Sequence, residues 1–190
     1  MRNLRKNILG LCLVGMGLGA GVSALAATGV GPYYAMPSWG QTLPAATRFI
    51  VLTNMNSEAV LDRETGLVWL QKPLLNPRQW DDSVTTCAEN AFGNRWGWRL
   101  PSIQELSSLL DTTAPASPAF QLPVGHPFGP LNPTITAYWS STTSLRAGPS
   151  LALVITPSSV ANNPNLIISR TKTLFAGQWC VRSGTGNEAQ

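Results

Sequence analysis

Histidine is nearly missing from this sequence. The 190-residue chain has one, His126, inside a proline-crowded stretch. A Ser-His-Asp site could only be built around that residue, and no Gly-x-Ser-x-Gly elbow accompanies it. Zinc would need more His or free Cys than the chain offers outside its N-terminal segment. Charge is sparse too, at 12% of residues. No Gly-rich phosphate loop, EF-hand loop or internal repeat occurs. The carboxylate pairs Asp62 with Glu64, and Asp81 with Asp82, sit at turn and helix-start positions. There they read as caps and solvated charges rather than as an acid–base couple. The formal charge of +4 does not describe a basic surface. Arg2, Arg5 and Lys6 precede a long apolar run, and without them 10 basic residues face 9 acidic ones. The balance gives no support to nucleic-acid binding.

An export segment is present. Met1 to Asn7 is basic, Ile8 to about Val22 is apolar, and Ser23-Ala24-Leu25-Ala26 is small. Ala24 and Ala26 hold the small-x-small positions of a signal-peptidase site, so residues 1–26 read as a signal peptide cleaved after Ala26. The other reading is a retained transmembrane helix, against which the Gly-rich run is short. Cys12 comes too early for a lipid anchor and leaves with the signal. The chain is then expected in the periplasm, at the cell surface or secreted, with no membrane span after cleavage. Two cysteines remain, Cys87 and Cys180. In an oxidising compartment such a pair is most simply a disulfide, the alternative being two buried thiols. A crosslink closing so long a loop contributes roughly 4–5 kcal/mol in the loop-entropy argument.

Residues 27–46 have no periodicity and read as a linker or N-terminal arm. A domain is expected over 47–184 and a tail over 185–190. Arg48 to Leu52 is β-rich. Ala59 to Leu70 reads as a hairpin, with Gly66 supplying positive φ. A helix should follow Pro77, because Trp80, Val84, Cys87 and Ala91 share one helical face. Gly93 would stop it. Ser102-Ile103-Gln104-Glu105 is a capping box, followed by an apolar face of Ile103, Leu106, Leu109 and Leu110. Pro115, Pro118, Pro123, Pro127, Pro130 and Pro133 then forbid helix, leaving a long loop. Strands are expected at 137–142, 151–156, 166–169 and 174–182. Segregated helices and strands argue an α+β fold, with two helices on a small antiparallel sheet. Seven tryptophans are many for this length. Trp69, Trp80 and Trp179 sit at periodic positions and read as core. Trp96 and Trp98 flank Gly97 and are freer to be exposed.

The runs AVLDRETGLVWL (59–70), WRLPSIQELSSLLD (98–111), YWSST (138–142) and WCVRSG (179–184), with Cys87 on a Trp-led helix, resemble the Lcl C-terminal domain family. That is a bacterial exported domain named from a collagen-like adhesin. The resemblance spans about residues 48–184. It implies a C-type-lectin-like domain, related also to the formylglycine-generating-enzyme fold. In C-type-lectin-like domains a disulfide commonly ties the first helix to the last strand, the expected places of Cys87 and Cys180. Arg99, Pro101 and Trp139 carry over as fold markers: a hydrogen-bonding fork, a helix entry and a core ring.

Several family features are missing. The calcium-dependent sugar motifs of true C-type lectins are absent, and Asn163-Pro164-Asn165 lacks the carboxylates that calcium wants. The copper-binding cysteine pair of the generating enzyme and a collagen-like stalk are absent too. The family's adhesin recognises sulfated polysaccharides, which want a basic surface. Here Arg78, Arg95, Arg99, Arg146, Arg170 and Lys172 are scattered. The expected function is a non-catalytic binding module with no cofactor or metal, recognising a glycan or an envelope or host surface protein. The alternative is a structural or assembly component of the envelope. An enzyme would need a nucleophile–base pair that the sequence does not supply. The expected ligand surface is the 112–136 loop with the turn at Trp96-Gly97-Trp98, using Trp96, Trp98, Asn132 and Tyr138. The competing reading makes that loop a cover whose Phe120 and Phe128 plug the core.

Overall fold

The computed structural model describes residues 43–111, 120–146, 148–156 and 167–184. The expected signal peptide, most of the expected arm, residues 112–119 of the proline-rich loop, the Asn163-Pro164-Asn165 run and the expected tail lie outside the described residues. No helix among the described residues is long and apolar enough to cross a membrane.

Helix and strand are mixed, and strand dominates. A one-turn helix, α1 (Ala45–Arg48), straddles the expected domain start. The hairpin forms as expected from β2 (Ala59–Asp62) and β3 (Leu67–Leu70), with Gly66 at φ 68° in its turn. β1 (Phe49–Val51) pairs antiparallel with β2, and β9 (Val181–Ser183) with β3. These four make one sheet in the order β1-β2-β3-β9. A second sheet runs β4-β8-β5-β6-β7, from β4 (Leu74–Arg78), β8 (Ala176–Gln178), β5 (Tyr138–Thr143), β6 (Leu151–Ile155) and β7 (Ile167–Thr171).

The expected single antiparallel sheet is therefore corrected to two sheets. The second is mixed, because β5 and β8 run parallel at Tyr138↔Gly177. The strand expected over 174–182 breaks at Trp179-Cys180, and its two halves join different sheets. β4 escapes the sequence reading because Pro77 lies inside it. Proline cannot donate to a ladder but is tolerated on an edge strand, and β4 is an edge.

The helices are short. α2 (Trp80–Ala88) follows Pro77 and places Asp81 and Asp82 in its first turn, where the helix dipole favours carboxylates. It buries Cys87, and Trp80 and Val84 are half-buried. The helix ends before Gly93, and Ala91 is exposed beyond it. Gly93 has a different duty. Its φ is +58°, its amide donates to Glu58 Oε2 at 2.7 Å, and a Cβ there would lie 2.8 Å from the Met55 Cβ. α3 (Ile103–Ser108) carries the full capping box. Ser102 Oγ accepts from the Glu105 amide, and Glu105 accepts from the Ser102 amide. Glu105 also takes both arms of Arg99, at 2.8 and 2.6 Å, so the expected fork exists but stands half in solvent.

Aromatic rings fill the space between the sheets. Trp179 touches Trp69, Phe128, Phe120 and Tyr138, with ring centroids 5.9, 5.0, 6.3 and 6.1 Å away. Its Nε1 donates to the Leu70 carbonyl at 2.8 Å. Cys87 and Cys180 form a disulfide, both side chains fully buried, with Cα atoms 5.6 Å apart.

A buried ion cluster fastens the N-terminal turn. Arg48 lies bidentate on Asp62, with Nε and one terminal nitrogen at 2.9 and 2.8 Å. It also pairs with Glu64 and donates to the Ser108 carbonyl at the end of α3. Arg48 is 4% exposed and Asp62 is fully buried.

Replacing Cys87 and Cys180 together by Ala should lower unfolding free energy by roughly 2–5 kcal/mol, as read by urea melts. Asp62→Ala removes the bidentate partner of a buried guanidinium, leaving it Glu64 and the Ser108 carbonyl, and should cost about 3 kcal/mol in the same assay. A surface-like loss below 1 kcal/mol would show that Arg48 finds another partner.

Candidate functional site

The expected ligand surface divides. Trp98 is 2% exposed, so its place on that surface is corrected. Its Nε1 donates to the Arg95 carbonyl at 2.8 Å, and its ring meets Phe92 edge-on. Gly97, at φ +88°, turns the chain so that Trp96 stays outside, 65% exposed, while Trp98 goes in. Tyr138 is likewise corrected to core. It is 1% exposed, packed edge-on against Phe120 at 4.9 Å, and its hydroxyl has no partner among the described residues. Burial pushes its phenol up to about 12.

Asn132 remains accessible. Its Oδ1 accepts from the Thr134 amide and hydroxyl, an Asx turn that occupies the carbonyl end of the side chain. Its Nδ2 points toward the Leu75 carbonyl, at 3.5 Å.

The described part of the proline-rich loop is a cover. Phe120, Leu122, Phe128 and Ile135 are all buried, and Phe128 stacks edge-on between Phe49 and Trp179. His126 lies beside Phe128, and burial pushes its imidazole below the usual histidine value. Among the described residues, no group of three or more His, Cys, Asp or Glu side chains could hold a metal.

A concavity among the described residues lies elsewhere. A groove of about 340 Å³ opens where the edge strand β4 runs beside β8 and the C-terminal end of α2. β4 contributes Leu74, Leu75, Asn76 and Arg78, and the end of α2 contributes Thr86 and Asn90. Phe92 forms one wall, and Gln178 enters from β8. The volume is at the lower end of the ~300–1,000 Å³ typical of small-ligand sites.

Asn76, Asn90, Gln178, Arg78, Thr86 and Phe92 line it together with the two leucines. Gln178 is the deepest, at 1% exposed. Its Nε2 donates to the Asn76 carbonyl at 3.0 Å, which leaves Oε1 as an acceptor with no partner among the described residues. Asn90 spends its Nδ2 on the Thr86 carbonyl at 2.6 Å, which also leaves its Oδ1 as an acceptor. Leu75 is 65% exposed beside them. Asn132 reaches the Leu75 carbonyl, so one of the expected surface residues borders this groove.

Sequence reasoning missed Arg78, Asn90 and Gln178. The one available signal was Gln178 itself, a polar side chain in the middle of an apolar strand.

The fold and groove define a small disulfide-tied domain of mixed helix and sheet. The model of the Lcl C-terminal domain family matches residues 58–182, and the chain belongs to that family. No curated protein matches the chain.

The Tyr138 phenol gives a pH test. A raised folded value means that the folded state holds the proton longer than the unfolded one. Its stabilising contribution is therefore complete below about pH 10 and is lost as pH rises through about 12. Tyr138→Phe should remove that part of the alkaline loss in urea melts between pH 9 and 11.5. At pH 7 it should change stability by less than about 1 kcal/mol, since the hydroxyl has no partner to lose.

Proposed function

We propose that this domain is a non-catalytic glycan-binding module, built on a C-type-lectin-like scaffold and exported by its N-terminal signal. Its destination is the periplasm, the cell surface or the medium. The Cys87–Cys180 disulfide supports an oxidising compartment. The observation that carries the glycan reading is the groove beside β4. Amide oxygens are fixed there as acceptors by their own hydrogen bonds, next to an aromatic and an aliphatic face. Sugars present the complementary surface, with rows of hydroxyl donors around weakly polar C–H faces. The ligand surface is accordingly this groove with Asn132 at its border and Trp96 on the neighbouring turn. Trp98, Tyr138 and the proline-rich cover serve as its support.

A second reading, an assembly partner in the envelope, draws on the exposed apolar side chains Leu145, Leu174 and Phe175. A glycan array probed with the disulfide-bonded protein separates the two. Binding that survives EDTA and weakens severalfold or more in Asn90→Ala supports the groove. A blank array with specific co-purification of envelope proteins, lost when Phe175 becomes Ser, supports the assembly reading.

A further inference from the structure

Resting on the reading of the groove as a glycan site, we infer that its sugar carries a carboxylate, as a hexuronic acid does. Arg78 is the fork for that carboxylate, and Gln178 and Asn90 are acceptors for ring hydroxyls. Arg78 is the one charged side chain in the groove lining, and no acidic side chain lines it. Its guanidinium forms no ion pair among the described residues, although Asp81 and Asp82 begin the helix close by in sequence. A guanidinium on a short edge strand, with no ion pair among the described residues, offers the planar pair of N–H donors that a carboxylate accepts.

The rest of the groove constrains the other side of the ligand. Gln178 is nine-tenths buried and more, and its Nε2 is already committed to Asn76, so its free atom can only accept. Asn90 gives one N–H to Thr86, which orients its Oδ1 as an acceptor beside the second N–H. A ligand must therefore bring hydroxyl or N–H donors to the Gln178 side and an anion to the Arg78 side. A sugar acid does both within one ring, and its C–H face can rest on Phe92 or Leu75.

A sulfated polymer is a poorer match. Its affinity comes from several cations acting on a dense row of charge, and one guanidinium cannot supply that. A neutral hexose fills the hydroxyl side but gives Arg78 only a neutral partner, and charge-assisted bonds are about twice as strong.

The test is isothermal titration calorimetry on the disulfide-bonded protein at about 0.15 M salt. The probes are trimers of galacturonate, glucuronate and mannuronate, their neutral hexose counterparts, and a sulfated galactose trimer. At least one uronate trimer should bind about tenfold or more tighter than its neutral counterpart. Arg78→Gln should abolish that difference, weakening uronate binding about tenfold more than binding of the neutral counterpart. Asn90→Ala should weaken both. Thermal melts confirm that the variants fold, as expected for exposed side chains.

Equal binding of uronate and neutral trimers, or no effect of Arg78→Gln on the uronate, overturns the carboxylate inference and leaves the glycan groove standing. Tighter binding of the sulfated trimer than of any uronate also overturns it. No binding of any trimer, or binding indifferent to Asn90→Ala, overturns both readings.

Discussion

Two consecutive residues, Trp179 and Cys180, hold the domain together. They carry the chain from β8 in one sheet to β9 in the other, so the sheets share a covalent hinge. Each residue adds a bond back into the body of the domain. Trp179 donates from its indole to the Leu70 carbonyl, and the Leu70 amide donates to the Cys180 carbonyl at 3.1 Å. The Cys180 sulfur then fixes α2 through Cys87. Four aromatic side chains surround the Trp179 ring, drawn from β3, β5 and the proline-rich segment. Edge-on pairs of this kind are worth ~0.5–1.5 kcal/mol each beyond the area they bury. The groove depends on the same hinge. Gln178 precedes Trp179, and β4 finds its partner in β8.

Polar groups inside the domain are handled in two ways. Arg48 is over-provided: two carboxylates, a carbonyl and the face of Phe49 surround it. That surplus repays the desolvation of the buried ions and joins α1, the hairpin turn and the end of α3 in one place. Gln178 is under-provided, with half of its amide satisfied. The two residues mark opposite ends of how buried polar groups are satisfied in this fold.

What could be read from the sequence divides along local and non-local lines. The capping box at Ser102, the turn at Gly66 and the helix stripe through Cys87 each specify their own conformation within a few residues, and all three stand in the structure. Of the rings read as core from their periodic positions, Trp69 in β3 and Trp179 at the break between β8 and β9 are fully buried, while Trp80 is half-buried. Trp98 misleads because Gly97 beside it permits either exposure or burial. Its Nε1 finds the carbonyls of Phe92 and Arg95 only after the chain has folded back. The split at Trp179 leaves no mark in the residues from Leu174 to Arg182, which read as one apolar strand. Their division between sheets is set by partners about a hundred residues away in sequence. β4 disappears for a similar reason, since nothing in Leu-Leu-Asn-Pro-Arg favours a strand until β8 lies beside it. The groove, made of β4, β8 and the end of α2, was therefore the least legible part.

The late position of the hinge has a consequence for the way the molecule comes into being. A chain is made, and threaded through any pore, from its N-terminus onward. The β2–β3 hairpin and the β5–β6 pair can close early, because their contacts are local. β4 waits for β8, and the open side of β3 waits for β9. A third fully buried indole, Trp179, arrives with them. The second sheet waits for residue 178, Cys87 for residue 180, and the first sheet for residue 183. Both sheets and the disulfide are therefore completed by one short stretch, residues 176–183.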